Sequence, residues 1–127
     1  MNNAAFEKWL DEVLDVDFPD GIAGIAFNLY DDGDDMWSIE AVGAGTFDEM
    51  DDDWACDEVT TFDTRDEPFS WEESCEWEDI LEQAVEALCS YLEKGKFADK
   101  LKAYKGVGVG FVDGDITVIY INDEDDE

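Results

Sequence analysis

The chain has 127 residues, 37 of them acidic against seven basic and no histidine, for a formal net charge of −30 at pH 7. That length is one ordinary domain, and a 45% hydrophobic content with five Trp, eight Phe and four Tyr is too apolar for a disordered acidic polymer. The charge argues against nucleic acid and anionic membranes as direct partners, because both need cations that neutralise phosphates, and it loads the folded state with self-repulsion that counterions or a basic partner relieve.

In chain order, Asn2 or Asn3 is placed to cap a first helix over 3–15, where Phe6, Trp9, Leu10, Val13 and Leu14 recur at helical spacing. Charges in this stretch stand where a signal peptide carries its apolar core, and no run reaches the roughly 18 apolar residues that span a bilayer. A single domain over 1–127 in the cytoplasm is therefore expected. Phe18-Pro19-Asp20-Gly21 ends the helix. The runs GIAGIAFNLY and MWSIEAVGAGTF, joined by DDGDD, predict a β-hairpin. A third strand is predicted over 54–62, entered through DEMDDDWACDEV, in which seven of twelve residues are acids.

Ser70-Trp71-Glu72-Glu73 fits a capping box. Trp77, Ile80, Leu81, Ala84, Val85, Leu88, Tyr91 and Leu92 then recur at steps of three and four, which predicts a long helix over 71–94. Gly95 stands just past its end, with Lys94 and Lys96 beside the negative pole of the helix dipole. A short helix, KFADKLKAY, follows. GVGVGFV and ITVIYI form a second hairpin about Asp113-Gly114-Asp115, ahead of an acidic tail, 122–127, expected to be flexible. The predicted order α-β-β-β-α-α-β-β implies an α+β fold, an antiparallel β-sheet with helices packed on one face.

Composition speaks against catalysis. Histidine, the usual base near neutral pH, is absent, so Cys56, Cys75 and Cys89 lack an imidazole to activate them. These cysteines show no C-x-x-C spacing and read as reduced packing residues; on one helix, Cys75 and Cys89 would lie about 21 Å apart, too far for a disulfide. A glycosidase needs only two carboxylates, but any chain this acidic supplies such pairs by chance. Gly106, Gly108 and Gly110 alternate with valine inside a strand pattern and do not form a phosphate loop. An EF-hand fails as well: setting Gly33, Gly21 or Gly114 at the loop's glycine puts Tyr30, Phe18 or Phe111 where an oxygen ligand is required. A non-enzymatic protein with no cofactor and no metal is expected.

The charge is unevenly spread. Residues 1–93 hold 29 acids and two bases, whereas Lys94, Lys96, Lys100, Lys102 and Lys105 crowd into twelve residues with one acid. Glu72 and Glu76, Glu78 and Glu82, and Glu82 and Glu86 are like-charge pairs at i,i+4, each destabilising by roughly 0.2–0.5 kcal/mol. A helix selected only for solubility would mix signs, so a partner-binding face is expected. Two loops combine carboxylates, which steer a cationic partner, with a tryptophan that could anchor it. One has Asp31, Asp32, Asp34 and Asp35 with Trp37; the other has Asp48, Glu49, Asp51, Asp52 and Asp53 with Trp54. Trp71 lies among Glu67, Glu72 and Glu73 in the same way.

In size, acidity and α+β layout, and in DDGDDMW, DEMDDDW and VGVGFVDGDITVIY, the chain resembles the small acidic immunity proteins that bacteria pair with polymorphic or contact-dependent toxins. The resemblance implies a cytoplasmic inhibitor that covers the basic cleft of a cognate toxin, such as a nuclease, and it carries no residue roles across. By charge alone the chain also resembles DNA-mimic proteins, whose carboxylates stand in for phosphates. A domain of other function adapted to concentrated salt is the remaining alternative.

Overall fold

The computed structural model describes residues 3–15, 22–45, 47, 58–63, 68–111 and 116–121. Among them run α1 (Asn3–Leu14), β1 (Gly24–Gly33), β2 (Met36–Ala44), β3 (Glu58–Asp63), β4 (Phe69–Glu72), α2 (Trp77–Lys94), α3 (Ala98–Lys102), β5 (Gly106–Phe111) and β6 (Thr117–Ile121). No helix among these residues is long and apolar enough to cross a membrane. The segments 48–57, 112–115 and 122–127 lie outside the described residues, and with them the first acidic loop's neighbour around Trp54, the second hairpin's turn and the tail.

The sheet order is β3-β2-β1-β5-β6, with β4 also paired to β2. β4 lies opposite Met36–Ile39 and β3 opposite Val42–Ala44, so the two share one edge of β2 end to end. This α+β sheet is mixed, which corrects the antiparallel expectation: β1 and β5 are parallel, from Gly24 opposite Gly106 to Leu29 opposite Phe111. The connection between β4 and β5 explains it. β4 runs with β1, since both are antiparallel to β2. The 18 residues of α2 then carry the chain about 27 Å back, so β5 starts at the same end as β1.

A period of two sorts the strands into faces. Ile25, Phe27, Leu29, Trp37, Ile39, Ala41, Trp71, Val107 and Val109 share one buried cluster with Phe6, Trp9, Leu10 and Leu14 of α1 and Ile80, Ala84, Leu88 and Tyr91 of α2. Each large apolar side chain buried this way contributes about 1.5–3 kcal/mol. The alternate positions Ala26, Val42 and Ala44 form a second, smaller cluster with Phe47 and Ile116.

The predicted capping box does not form. Ser70 lies in β4 opposite Ser38, and α2 begins at Trp77 after Glu76, which makes no side-chain cap. The alternation of Phe69 and Trp71 prevails because it sends both rings to the core side, where they stand 5.6 Å apart. Cys75 therefore precedes the helix that was expected to contain it, and Cys75 and Cys89 are both free thiols. The indole N–H of Trp71 is buried with no acceptor among the described residues, and at 9% exposure this tryptophan is a packing residue and not an exposed anchor.

Gly95 ends α2 for a different reason from the left-handed turn that usually calls for glycine. Its backbone is extended (φ −72°), and a Cβ there would come to 2.5 Å from the Tyr91 ring. Tyr91 is the joint of the helical layer: its hydroxyl donates to Asp11 Oδ1 (2.8 Å) and accepts the Phe97 N–H (3.1 Å). Burial, and then the bond to Asp11, push this phenol above its ordinary value of 10.0. The folded state therefore holds the proton more tightly than the unfolded chain. Stability from this group is fully present below about pH 10 and is lost as pH rises toward the folded value. Urea titrations at rising pH should show that decline in the parent protein, and Tyr91→Phe should be less stable at pH 7 by about 1–2 kcal/mol yet lack this phenol's share of the alkaline slope.

Candidate functional site

The β1–β2 hairpin is tighter than DDGDD suggested. Its strands continue to Gly33 and from Met36, leaving Asp34 (φ 54°) and Asp35 (φ 65°) as a two-residue turn, with the register shifting by one residue between Asp31 and Gly33. Positive φ at both central positions is the signature of a type I′ turn, which usually takes Asn-Gly. Two aspartates there combine backbone strain with like-charge repulsion. Exchanging Asp34-Asp35 for Asn-Gly should raise stability by about 1 kcal/mol, read as a higher urea midpoint.

The tip is held against the start of the helical crossover. Glu73 N–H donates to Asp35 O (2.8 Å), and Trp37 Nε1 donates to Glu73 O (2.8 Å). Between the tip and the first turn of α2 lies a cleft of about 320 Å³, lined by Asp31, Gly33, Asp34, Asp35, Trp37, Cys75, Glu76 and Trp77. Four of these eight are carboxylates and none is basic. Glu78 and Asp79 add charge in the first helical turn, where the positive end of the helix dipole offsets part of the repulsion.

The cleft unites only part of the predicted site. Asp31, Asp34 and Asp35 line it, but Asp32 is turned elsewhere, its Oδ2 accepting from Ser38 Oγ (2.9 Å). Asp48, Glu49, Asp51, Asp52, Asp53 and Trp54 lie outside the described residues. Trp37 is only 4% exposed, in line with Ile39 and Ala41, and so presents almost no surface to a partner. Its place is taken by Trp77, which helical spacing had assigned to the core and which is 52% exposed. Phe111 stands edge-on between the two indoles, 6.0 Å from Trp37 and 5.9 Å from Trp77. The first residue of α2 thus overhangs the sheet at the carboxyl ends of β1 and β5.

No protein-family model, curated protein or solved structure matches the chain.

Chemically, the cleft's carboxylates can attract cationic groups. A concave wall of one sign focuses the field and raises the local concentration of cationic groups. Cys75 Sγ lies 3.6 Å from Glu73 Oε2, and desolvation together with that carboxylate raises the thiol above its ordinary value, so it stays protonated at neutral pH and is a poor nucleophile. Among the described residues, no group of three or more His, Cys, Asp or Glu side chains gathers in a metal-holding arrangement. On the other sheet face, Glu40 is 3% exposed and accepts from Asn28 Nδ2 (3.0 Å) and Tyr30 OH (2.8 Å). Sequence reading passed over this buried carboxylate, although an acid inside the apolar run SIEAVG marked it.

The lysine cluster begins at the far end of α2, where Lys94 lies about 26 Å along the helix from Trp77. Lys100 Nζ donates to Leu14 O (2.7 Å), and Lys96 and Lys100 lie over the Phe97 ring at 5.4 and 5.7 Å. Lys100 thus ties α3 to α1, and among the described residues no base lines the cleft.

Proposed function

We propose that the protein is a non-enzymatic inhibitor that binds a basic partner protein, with the acidic cleft receiving a Lys or Arg side chain against Trp77. The observation that carries this reading is a half-exposed tryptophan beside four cleft carboxylates, with no base among the described residues of the lining. Such a site offers a cation both charge pairs and an aromatic face, a combination worth about 0.5–2 kcal/mol from the ring alone. The most economical biological assignment is an immunity protein acting in the cytoplasm on a cognate bacterial toxin, because acidity, size and α+β layout agree with that role.

The test takes as candidate partner the protein domain encoded directly upstream of this protein's own coding sequence. The variant Asp34→Asn, Asp35→Asn, Glu76→Gln should associate about tenfold more slowly, with a flatter dependence on salt, while folding normally. An unchanged on-rate removes the cleft from the interface.

The DNA-mimic reading has one observation of its own. Glu78, Glu82 and Glu86 are all exposed, one turn apart along α2, which spaces their backbone positions by about 6 Å. On that reading, neutralising these three damages binding more than neutralising the cleft, and several unrelated DNA-binding proteins compete. A protein built for concentrated salt would instead unfold when salt is removed.

A further inference from the structure

We infer that the outer edge of β6 is a second docking site, one that takes a β-strand of a basic partner and extends the sheet by strand addition. β6 is the last strand in the sheet order and pairs with β5. Among the described residues no strand pairs with its other side. Its outward N–H and C=O groups are therefore a template for another strand.

The sequence of β6, TVIYI, is wholly β-branched or aromatic and contains no proline, lysine or glycine. Within the strand, the single blunting feature is a register shift between Val107 and Gly108, which gives β6 one extra residue, Ile119. The strand is nonetheless fixed in place. Ile119 and Tyr120 pack against the main core, and Tyr120 OH reaches Lys102 O at 3.4 Å. Ile121 is 37% exposed at its end.

Charge selects the occupant. Asp113 and Asp115 precede the strand, Asp123, Glu124, Asp125, Asp126 and Glu127 follow it, and no base occurs from Gly106 onward. Pairing with a second copy, antiparallel or parallel, would set acidic flanks against acidic flanks on two chains of −30 each. Acids that flank an uncharged strand act as gatekeepers against self-association. A strand flanked by Lys or Arg reverses the sign at both ends and is admitted by the same charges. No residue of β6 lines the acidic cleft, so the two sites stand or fall separately.

The test uses the full chain and two synthetic peptides with a shared Thr-Val-Thr-Val-Thr core, one flanked by two lysines at each end and the other by two glutamates. The lysine-flanked peptide should slow hydrogen exchange of the outward β6 amides by about tenfold, a 1.4 kcal/mol effect, and show cross-strand proximity to them by NMR. The glutamate-flanked peptide should do neither. The variant Asp34→Asn, Asp35→Asn, Glu76→Gln should retain the protection, which separates this site from the cleft. Equal protection by both peptides, perturbation confined to the cleft, or a β6-mediated dimer in sedimentation at low salt would each overturn the proposal.

Discussion

Replacing Trp77 with alanine should weaken binding to the proposed basic partner by about 2 kcal/mol, roughly 30-fold, with most of the change in the dissociation rate. Trp77 is 52% exposed at the mouth of the cleft, so its truncation removes the one large exposed aromatic surface among the described residues that the cleft carboxylates can present with them. The folding cost should be smaller. Its edge contact with Phe111 at 5.9 Å is an aromatic pair worth about 0.5–1.5 kcal/mol. Trp77→Phe preserves a ring at that position and should recover part of the affinity. Calorimetry on the three proteins decides the matter: equal affinities would show that Trp77 does not touch the partner.

Phe6→Ala should be the most destabilising single change, costing about 3–5 kcal/mol of a total that for such domains is about 5–15 kcal/mol. Phe6 is fully buried and forms a three-ring cluster with Trp9 (5.7 Å) and Phe69 (5.4 Å), which are themselves 6.0 Å apart. It joins α1 to β4, so its loss leaves a cavity where helix and sheet edge meet. The urea midpoint should fall by about 2 M with an unchanged slope. A shift below about 0.5 M would mean that α1 contributes little to the fold.

Elements with long periods were legible in the sequence, and those set by pairing were not. Both apolar runs about DDGDD gave strands, and the recurrence of Ile80, Ala84, Leu88 and Tyr91 gave α2, because burial of one face imposes those periods. β4 escaped because Phe69-Ser70-Trp71-Glu72 alternates over only four residues and overlaps a pattern that also suits a helix start. What decides between them is the partner strand β2, which lies some thirty residues earlier in the chain. The parallel pairing of β5 with β1 escaped for a related reason: direction depends on the crossover through α2, and not on the strands themselves.

The site was legible as charge and misread as aromatics. Asp31, Asp34 and Asp35 were marked by their density. Trp37 was grouped with the acidic loop as an anchor although it opens the predicted second strand, and in that strand the alternation with Ile39 and Ala41 sends it inward. Trp77 keeps the helical phase of the core stripe, but as the first residue of α2 it extends past the sheet that would have covered it. Phe111 could not have been found at all, since its position between the two indoles exists only once β5 lies beside β1.

The most direct measurement is an NMR titration of the full chain with a short arginine- and lysine-containing peptide, following every backbone amide and the Trp77 indole N–H. The acidic cleft predicts saturable shifts centred on Trp77, Asp34, Asp35 and Glu76, and their loss in the variant Asp34→Asn, Asp35→Asn, Glu76→Gln. Shifts spread evenly over Glu78, Glu82, Glu86 and the other exposed acids, and unaltered in that variant, would contradict it.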